Sequence, residues 1–259
     1  MEIGICADYT EGSTLNGVVD YIEENVQRLL NAALSDDEFE KSLTNFKDKE
    51  LPVPVANSFI PGTIKTTGPE MELDEVLAYA NTVLKRAKLL EISQIVFGSG
   101  GSRQIEEGVS KTEAFSQFIT VNREIAVLAE QNNIMILIEP LNSAECNFIT
   151  TLEEGAEIVE RVNHPNVQLL ADFYHMLKDD EDAAEILRFG HLIQHIHIAE
   201  RDTRSAPGVA GDDFMPFFSA LKQIDYTGNI SFECSFTDKE KELQVATQTI
   251  CNYMDSTGL

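Results

Sequence analysis

The chain has 259 residues, and 43% of them are hydrophobic, enough to bury a large core. Its formal net charge of −25 repels phosphate backbones, so we expect no nucleic-acid partner, and an anionic substrate is disfavoured. No apolar run approaches the roughly 18 residues of a membrane span, and the first residues do not resemble a signal peptide. The four cysteines are far apart and lack CxxC spacing, which favours free thiols in a reducing cytoplasm.

Short apolar runs alternate with polar-capped amphipathic segments along the whole chain. The runs predict eight strands, at 2–7, 19–25, 53–59, 94–98, 134–139, 167–172, 193–198 and 230–234. The other segments predict helices at 36–48, 71–91, 113–132, 151–163, 180–189, 213–224 and 239–255. The connection 10–18 is short enough to hold only a turn of helix. Apolar strands alternating with helices over this length predict an α/β fold, a single (β/α)8 TIM barrel domain spanning 1–259.

Four predicted helices begin with a capping-box pattern, in which a hydroxyl and a carboxylate three residues later satisfy free backbone N–H groups. The pairs are Ser35 with Glu38, Ser110 with Glu113, Thr151 with Glu154 and Thr237 with Glu240. They fit the order of strand, loop and capped helix, and no linker or shift in composition divides the chain.

Four of the apolar runs end at or near a residue that can bind a metal ion, namely Glu139, Asp172, His197 and Glu233. They are separated by 33, 25 and 36 residues, close to the roughly 30 residues of one strand-and-helix unit in such a barrel. Because the carboxyl ends of all barrel strands open at one mouth, we expect these side chains to converge there. A lone carboxylate at a strand end is more often a helix cap or salt-bridge partner, but four in succession favour a site.

Three carboxylates and one imidazole suit Mn²⁺, Mg²⁺ or Co²⁺ better than a structural zinc, and Zn²⁺ remains an alternative. We therefore predict one divalent metal ion, with Mn²⁺ favoured. His195 and His197 lie on the same face of their strand because side chains alternate. His197 is nearer the mouth and is the expected ligand, whereas His195 is expected to be a hydrogen-bonded core residue.

The same runs resemble the xylose-isomerase-like TIM barrels, most closely the D-tagatose 3-epimerase and hydroxypyruvate isomerase branch. That branch has a Glu–Asp–His–Glu metal site, with a second Glu after the first, a His after the Asp and an Arg shortly after the metal His. The matching residues here are Glu145, His175 and Arg204. The family arginine usually stands where this chain has Thr203, so either the loop holds one extra residue or the role is altered. Arg204 is the expected residue, with Arg201 as the alternative.

The resemblance implies a metal-dependent sugar isomerase or epimerase that acts on a small ketose or aldose, or on a short oxo acid. In that chemistry a proton leaves a carbon next to a carbonyl, and the metal stabilises the resulting enediolate. Glu139 and Glu233 would be both metal ligands and catalytic groups. If they flank opposite faces of the carbon the result is epimerisation, and transfer between adjacent carbons on one face gives isomerisation. Glu145, His175 and Arg204 would bind the substrate, although Glu145 could instead orient one of the other two.

Residues Gly98 to Gly101 follow the fourth predicted strand and allow two interpretations. Their backbone N–H groups could bind an anion beside Arg103, or they could form a tight loop that lets the chain leave the barrel, which we favour. After the last strand the segment SFTDKEKEL contains no glycine for a barrel phosphate site, so a phosphorylated substrate is not well supported.

Other functions share this architecture. Endonuclease IV needs further His and Glu ligands and a basic face, whereas this acidic chain has five histidines, all between 164 and 197. A metal-dependent dehydratase acting on inosose or dehydroshikimate uses a similar ligand set and stays open. A sugar-binding barrel without activity is the non-enzyme alternative, although none of the four ligands is missing. A homo-oligomer is expected from the resemblance alone.

Overall fold

The computed structural model describes residues 1–43 and 45–259. Eight parallel strands close into a barrel in chain order, β1 to β8, with β1 pairing β8. They are Ile3–Cys6, Tyr21–Asn25, Val55–Asn57, Gln94–Phe97, Met135–Ile138, Val167–Asp172, Ile193–Ile198 and Asn229–Phe232. The predicted (β/α)8 barrel is therefore confirmed.

Helices follow the strands and cover the outside of the barrel. In chain order, α1 to α11 are Gly12–Leu15, Val26–Leu29, Asp36–Ser42, Leu73–Leu89, Gly100–Arg103, Lys111–Asn132, Leu152–Val162, Phe173–Lys178, Ala184–Phe189, Met215–Gln223 and Lys239–Thr257. Three short 3-10 turns lie at Tyr9–Glu11, Phe46–Asp48 and Gly190–Leu192. Within 1–43 and 45–259, no helix combines the length and apolarity needed to cross a membrane.

The barrel interior is filled below its mouth by side chains from alternate strand positions. This buried cluster consists of Tyr21, Val55, Val96, Leu137 and Leu170. Tyr21 fits because Gly4 on the neighbouring strand has no side chain: a Cβ there would lie 2.2 Å from the tyrosine ring. These packed side chains lie directly below the polar residues of the mouth.

Several predicted boundaries were wrong, for local reasons. The third strand is only Val55–Asn57, since Pro54 has no N–H to donate and Ser58 adopts a left-handed backbone with φ of 59°. The predicted helix 180–189 begins at Ala184, and the unpredicted helix α8 precedes it. The predicted helix 36–48 ends at Ser42 and is followed by the 3-10 turn Phe46–Asp48, while its residue 44 lies outside the described residues.

The helix-start predictions have mixed outcomes. Ser35 and Glu38 form both bonds of the capping box. Ser110 and Thr151 each accept a hydrogen bond from the backbone N–H three residues on, which is one of the two bonds of the predicted capping box. The Thr237 pair was wrong because Asp238 is the N-cap of α11 and accepts from the Lys241 N–H. A carboxylate one residue closer to the helix therefore replaces the hydroxyl.

Candidate active site

The four predicted metal ligands meet at the mouth of the barrel. Asp172 ends β6 and pairs in register with His197 on β7, while Glu139 and Glu233 directly follow β5 and β8. The Nδ1 atom of His197 lies 3.1 Å from Oε1 of Glu139, 3.8 Å from Oε2 of Glu233 and 3.9 Å from Oδ2 of Asp172. The structure thus places three carboxylates around one imidazole nitrogen.

Two buried polar atoms at this point lack a hydrogen-bond partner among the described residues. They are Oδ2 of Asp172 and Nε2 of His175, which lie 3.6 Å apart. Ligand atoms of Asp172, His175, Glu139 and Glu233 all lie within 4.8 Å of one another. Buried polar atoms without partners are costly unless a ligand satisfies them, and an oxygen-rich set suits a hard divalent cation. The residues present therefore fit a metal ion.

The hydrogen bonds of the two histidines distinguish their roles. The backbone N–H of Asn142 donates to Nδ1 of His175 at 3.1 Å, so that nitrogen is an acceptor. A neutral His175 then carries its proton on Nε2 and presents a donor, not a metal-binding lone pair. His197 turns its Nε2 towards a buried carboxylate, Glu23, and its Nδ1 towards the three acidic side chains. This arrangement suits His197 as a ligand and His175 as a donor to a substrate oxygen.

The structure brings Arg204 to the site and leaves Arg201 outside it. Arg204 has a left-handed backbone with φ of 51°, forms an ion pair with Glu233, and lies 3.4 Å from Oε1 of Glu145. Its guanidinium also stacks over the Tyr174 ring at 4.6 Å. Arg201 instead pairs with Asp180 at 2.8 Å. Of the two arginines that the sequence left open, Arg204 is therefore the one that faces the four predicted metal ligands.

Glu145 lies at the rim, between the arginine and the histidine. Its Oε1 accepts a hydrogen bond from Nδ2 of Asn142 at 2.9 Å, and the same amide nitrogen lies 2.8 Å from Nδ1 of His175. Glu145 is thus linked both to Arg204 and, through Asn142, to His175. The geometry is compatible with both roles that the sequence analysis considered, contact with substrate and orientation of its neighbours.

A cavity of about 330 Å³ opens above these residues. Glu139, Glu233 and His175 form its base, and Arg204 and Glu145 form one wall. The rest of the lining comes from the end of β3 and from the segments that follow β2, β3, β4 and β5. These residues are Gln27, Asn57, Ser58, Ile60, Gly62, Gly98, Ser99, Gly100, Gly101 and Leu141. The cavity is polar at its base and along most of its wall, as a polyhydroxylated ligand requires.

Comparison with known proteins agrees with this geometry. The family model described as xylose isomerase-like TIM barrel matches residues 17–250. The chain belongs to this family. The L-ribulose 3-epimerase of Methylomonas sp. (strain DH-1) is 32% identical over 179 residues, which are 69% of this chain and 60% of that protein. The matched region therefore spans less than two thirds of that relative's length.

Solved structures share the fold of this xylose isomerase-like barrel. The D-allulose 3-epimerase from Methylomonas sp. superposes with a TM-score of 0.81 at 23% identity, covering 98% of each chain. The IOLI protein, solved with a zinc atom, superposes with a TM-score of 0.75 at 20% identity, covering 100% of this chain and 98% of that one. At these identities the likeness establishes the fold.

Burial and mutual charge shift the pKa values of Glu139, His197 and Glu233 in different directions. Burial and the Glu139 carboxylate raise the pKa of Glu233 to about 8, although His197 and Arg204 oppose the rise. Burial also disfavours a charged Glu139, but its hydrogen bond to His197 and the charge of that imidazole lower its pKa overall. Burial opposes the imidazolium of His197, yet Glu23 and Glu139 raise its pKa well above the ordinary value. In the absence of a cation, protons on Glu233 and His197 therefore balance part of the negative charge of the carboxylates.

Glu23 was not among the predicted site residues, and it lies in the barrel interior beneath the four predicted metal ligands. Its side chain is fully buried and accepts from both His195 and His197. His195 is thus the hydrogen-bonded core residue that was expected. A signal was present, because Glu23 and Glu24 are consecutive in a predicted apolar strand. Since strand side chains alternate, one of the two had to face the barrel interior.

Arg103 does not contribute to the anion site that was considered at the loop after β4. Arg103 is fully buried and donates to the backbone carbonyls of Phe97 and Glu139, at 3.0 and 2.7 Å. Residues Gly100 to Arg103 form one turn of helix, α5. Arg103 therefore connects the ends of β4 and β5 through hydrogen bonds. Its guanidinium does not face the cavity.

Proposed function

We propose that this protein is a divalent-metal-dependent sugar isomerase or epimerase that acts on a small, unphosphorylated ketose or aldose. The observation that supports it most is the convergence of Glu139, Asp172 and Glu233 on Nδ1 of His197 at the base of a polar cavity. The ketose 3-epimerase names of its relatives give the reaction class. Among the described residues that line the cavity, Arg204 is the only arginine or lysine, and it is already paired with Glu233 and Glu145. This pairing disfavours a phosphate group on the substrate.

Four side chains would hold the metal ion: Glu139, Asp172, His197 and Glu233. When bound, the ion supplies Lewis-acid polarisation of the substrate carbonyl, a contribution of several kcal/mol. His175, with its proton on Nε2, donates to a substrate oxygen. Arg204 carries a permanent positive charge beside Glu233 and stabilises negative charge on a nearby oxygen of the substrate. Glu145 holds Arg204 and accepts from a substrate hydroxyl.

Glu139 and Glu233 move the proton. One carboxylate takes the proton from the carbon next to the carbonyl. The C–H electron pair becomes the C–C double bond of an enediolate, and the π pair of the carbonyl moves to its oxygen, which becomes negatively charged. In an epimerase the second carboxylate returns a proton to the same carbon from the opposite face. In an isomerase the first carboxylate delivers the proton to the adjacent carbon, and a hydroxyl proton moves to the former carbonyl oxygen.

The experiment that tests this proposal is a panel of ketoses, aldoses and short oxo acids, incubated in D₂O with Mn²⁺. Deuterium should appear at a single carbon, and its position identifies both the substrate and the reacting atom. Exchange with inverted configuration indicates an epimerase, and exchange with carbonyl migration indicates an isomerase. Loss of water from the substrate would support the dehydratase alternative. No exchange and no product from the whole panel would contradict the proposal.

Substitution of either glutamate tests the proton-transfer assignment. Glu139→Gln and Glu233→Gln should each lower kcat by about 10²- to 10⁴-fold, because an amide cannot accept the proton. Each variant is compared with wild type by circular dichroism, so that loss of activity is separated from loss of fold. Chelation should remove wild-type activity and added Mn²⁺ should restore it. Retained turnover in either variant would contradict the assignment.

The identity of the metal ion, the location of the protein, its domain organisation and its oligomeric state remain predictions. Mn²⁺ is favoured over Mg²⁺, Co²⁺ and Zn²⁺ because of the oxygen-rich ligand set. A cytoplasmic location, the single domain over 1–259 and a homo-oligomer also remain predictions. Metal analysis of protein purified without chelators, cell fractionation and sedimentation would test them.

A further inference from the structure

The carboxylate of Glu23 is the hub of a hydrogen-bond network inside the barrel. Its Oε1 lies 2.8 Å from Nε2 of His197 and accepts from Nδ2 of Asn57 at 3.1 Å. Its Oε2 lies 2.9 Å from Nε2 of His195. The side chains of Glu23 and both histidines are fully buried. Because these three side chains are buried, their orientations are determined by contacts within the protein.

We propose that Glu23 is a positioning residue that holds His197 with its proton on Nε2 and its Nδ1 lone pair directed at the cation site. The inference rests on the metal site proposed above. A carboxylate has no proton to donate, so the imidazole nitrogen facing it must be the donor. The other nitrogen is then left to bind the ion, and it is this nitrogen that faces Glu139, Asp172 and Glu233. Metal-binding histidines commonly depend on such a partner for ring orientation and basicity.

Only a carboxylate can fill this position. The two imidazole Nε2 atoms approach different oxygens of Glu23, and both must donate. Glutamine offers one acceptor oxygen and one NH₂ group, so it could accept from one histidine while its NH₂ group met the other. In a buried site, the mismatched pair would lose its hydrogen bond or one ring would turn.

The lower end of the network holds Glu23 in place. Nε2 of His195 also lies 3.2 Å from Oγ of Ser231, and that hydroxyl lies 2.8 Å from the Tyr21 hydroxyl. Tyr21 is itself locked in the packed interior against Gly4. The hydrogen bonds from Tyr21 through Ser231 and His195 therefore fix the position of Glu23, and Glu23 in turn fixes the orientation of His197.

The adjacent residue Glu24 provides a matched control. It is equally buried and lies on the same strand, but alternation turns it away from the barrel interior. Its carboxylate accepts from the backbone N–H groups of Tyr9 and Asn25 and pairs with Arg28. Glu24→Gln removes a buried charge of the same kind without touching His197.

The test compares Mn²⁺ affinity by calorimetry in wild type, Glu23→Gln, Glu23→Asp and Glu24→Gln. We expect Glu23→Gln to weaken binding by about 10- to 100-fold and Glu23→Asp to be intermediate, with Glu24→Gln within about twofold of wild type. A second readout is the His197 Nε2–H signal in long-range ¹H–¹⁵N spectra of Zn²⁺-loaded protein. This signal should report a strong hydrogen bond in wild type and Glu24→Gln, and move or disappear in Glu23→Gln. A residue that only fills space would change neither.

Each outcome decides between the interpretations. Equal affinity and an unchanged Nε2–H signal in folded Glu23→Gln would overturn the inference while leaving the metal site intact. If Glu23→Gln does not fold, Glu23→Asp decides: weaker binding with a shifted signal supports the inference, and wild-type behaviour overturns it. If wild type itself binds no divalent ion more tightly than millimolar, the proposed function fails, and this inference with it.

Discussion

At the scale of single residues, Glu139 depends on a neighbour that has no side chain. Gly98 directly follows β4, and a Cβ built on it would lie 1.7 Å from Oε2 of Glu139. Any larger residue at position 98 must therefore displace the carboxylate from the other three predicted metal ligands. The glycine-rich loop thus leaves the space that the Glu139 side chain occupies.

Gly98→Ala tests this dependence. Displacing Glu139 by about 1 Å should lower kcat by about 10²-fold, because catalysis is sensitive to misplacement of that size. Mn²⁺ affinity should fall as well. Gly62→Ala is the control, since its added Cβ would meet its nearest neighbour, Gly101, at 3.5 Å, an ordinary contact. Gly98→Ala with wild-type Mn²⁺ affinity in calorimetry would show that Glu139 can relocate without loss.

At the scale of elements, Asp172 connects a strand, a helix and the cation site. It ends β6 and is the N-cap of α8, where its Oδ1 accepts from the backbone N–H groups of Tyr174 and His175. Its Oδ2 has no hydrogen-bond partner among the described residues and faces the site. One carboxylate thus starts the helix with one oxygen and offers the other to a metal ion. The same capping fixes the position of His175 in the first turn of α8.

Two substitutions separate these functions of Asp172. Asn caps helices as well as Asp does, so Asp172→Asn should keep α8 and the free energy of unfolding, whereas Asp172→Ala should be less stable by about 1 kcal/mol. Both should bind Mn²⁺ at least about tenfold more weakly, since both lack the anionic oxygen. Chemical denaturation of metal-free protein and calorimetry provide the two measurements. Equal stability of the two variants would show that the cap contributes little.

At the scale of the whole molecule, the net charge of −25 and the buried carboxylates favour a bound cation. Mn²⁺ at 100 times its Kd should stabilise the fold by about 2.7 kcal/mol, or roughly 5–10 °C in Tm. Thermal unfolding with Mn²⁺ and with a chelator measures this difference. An unchanged Tm would contradict a site that binds only in the folded state.

The size of that stabilisation should depend on pH. The pKa of Glu233 is about 8 in the metal-free fold against 4.5 for the ordinary group, so the fold holds this proton more tightly than the unfolded chain does. The metal-free protein therefore loses this contribution as the pH rises from 4.5 to about 8. A bound ion must displace the proton, so the Mn²⁺-induced rise in Tm should be larger at pH 8 than at pH 6. Glu233→Gln should reduce this difference without abolishing it, because the ion must also displace a proton from His197, whose pKa is likewise raised.

Much of the fold and the four ligand candidates could be predicted from sequence because their signals are local. Each strand is an apolar run, and a polar residue at its end can be identified without knowing its neighbours in space. The repeat length of the strand-and-helix unit then places all the strand ends at one mouth. Boundaries failed where another local feature prevailed, as at Ser58, where a left-handed backbone ends β3, and at Asp172, whose cap starts an unpredicted helix.

The residues that hold the predicted metal ligands in place could be identified only from the tertiary structure. Glu23 and His197 are 174 residues apart, and no local pattern joins them. Whether Arg201 or Arg204 faces the cavity depends on the path of a loop, and the role of Gly98 depends on a side chain from the next strand. The sequence by itself determined which donors stand at the strand ends, because that is a property of each segment. Barrel closure determined which atoms those donors face, because contacts between distant segments exist only in the folded chain.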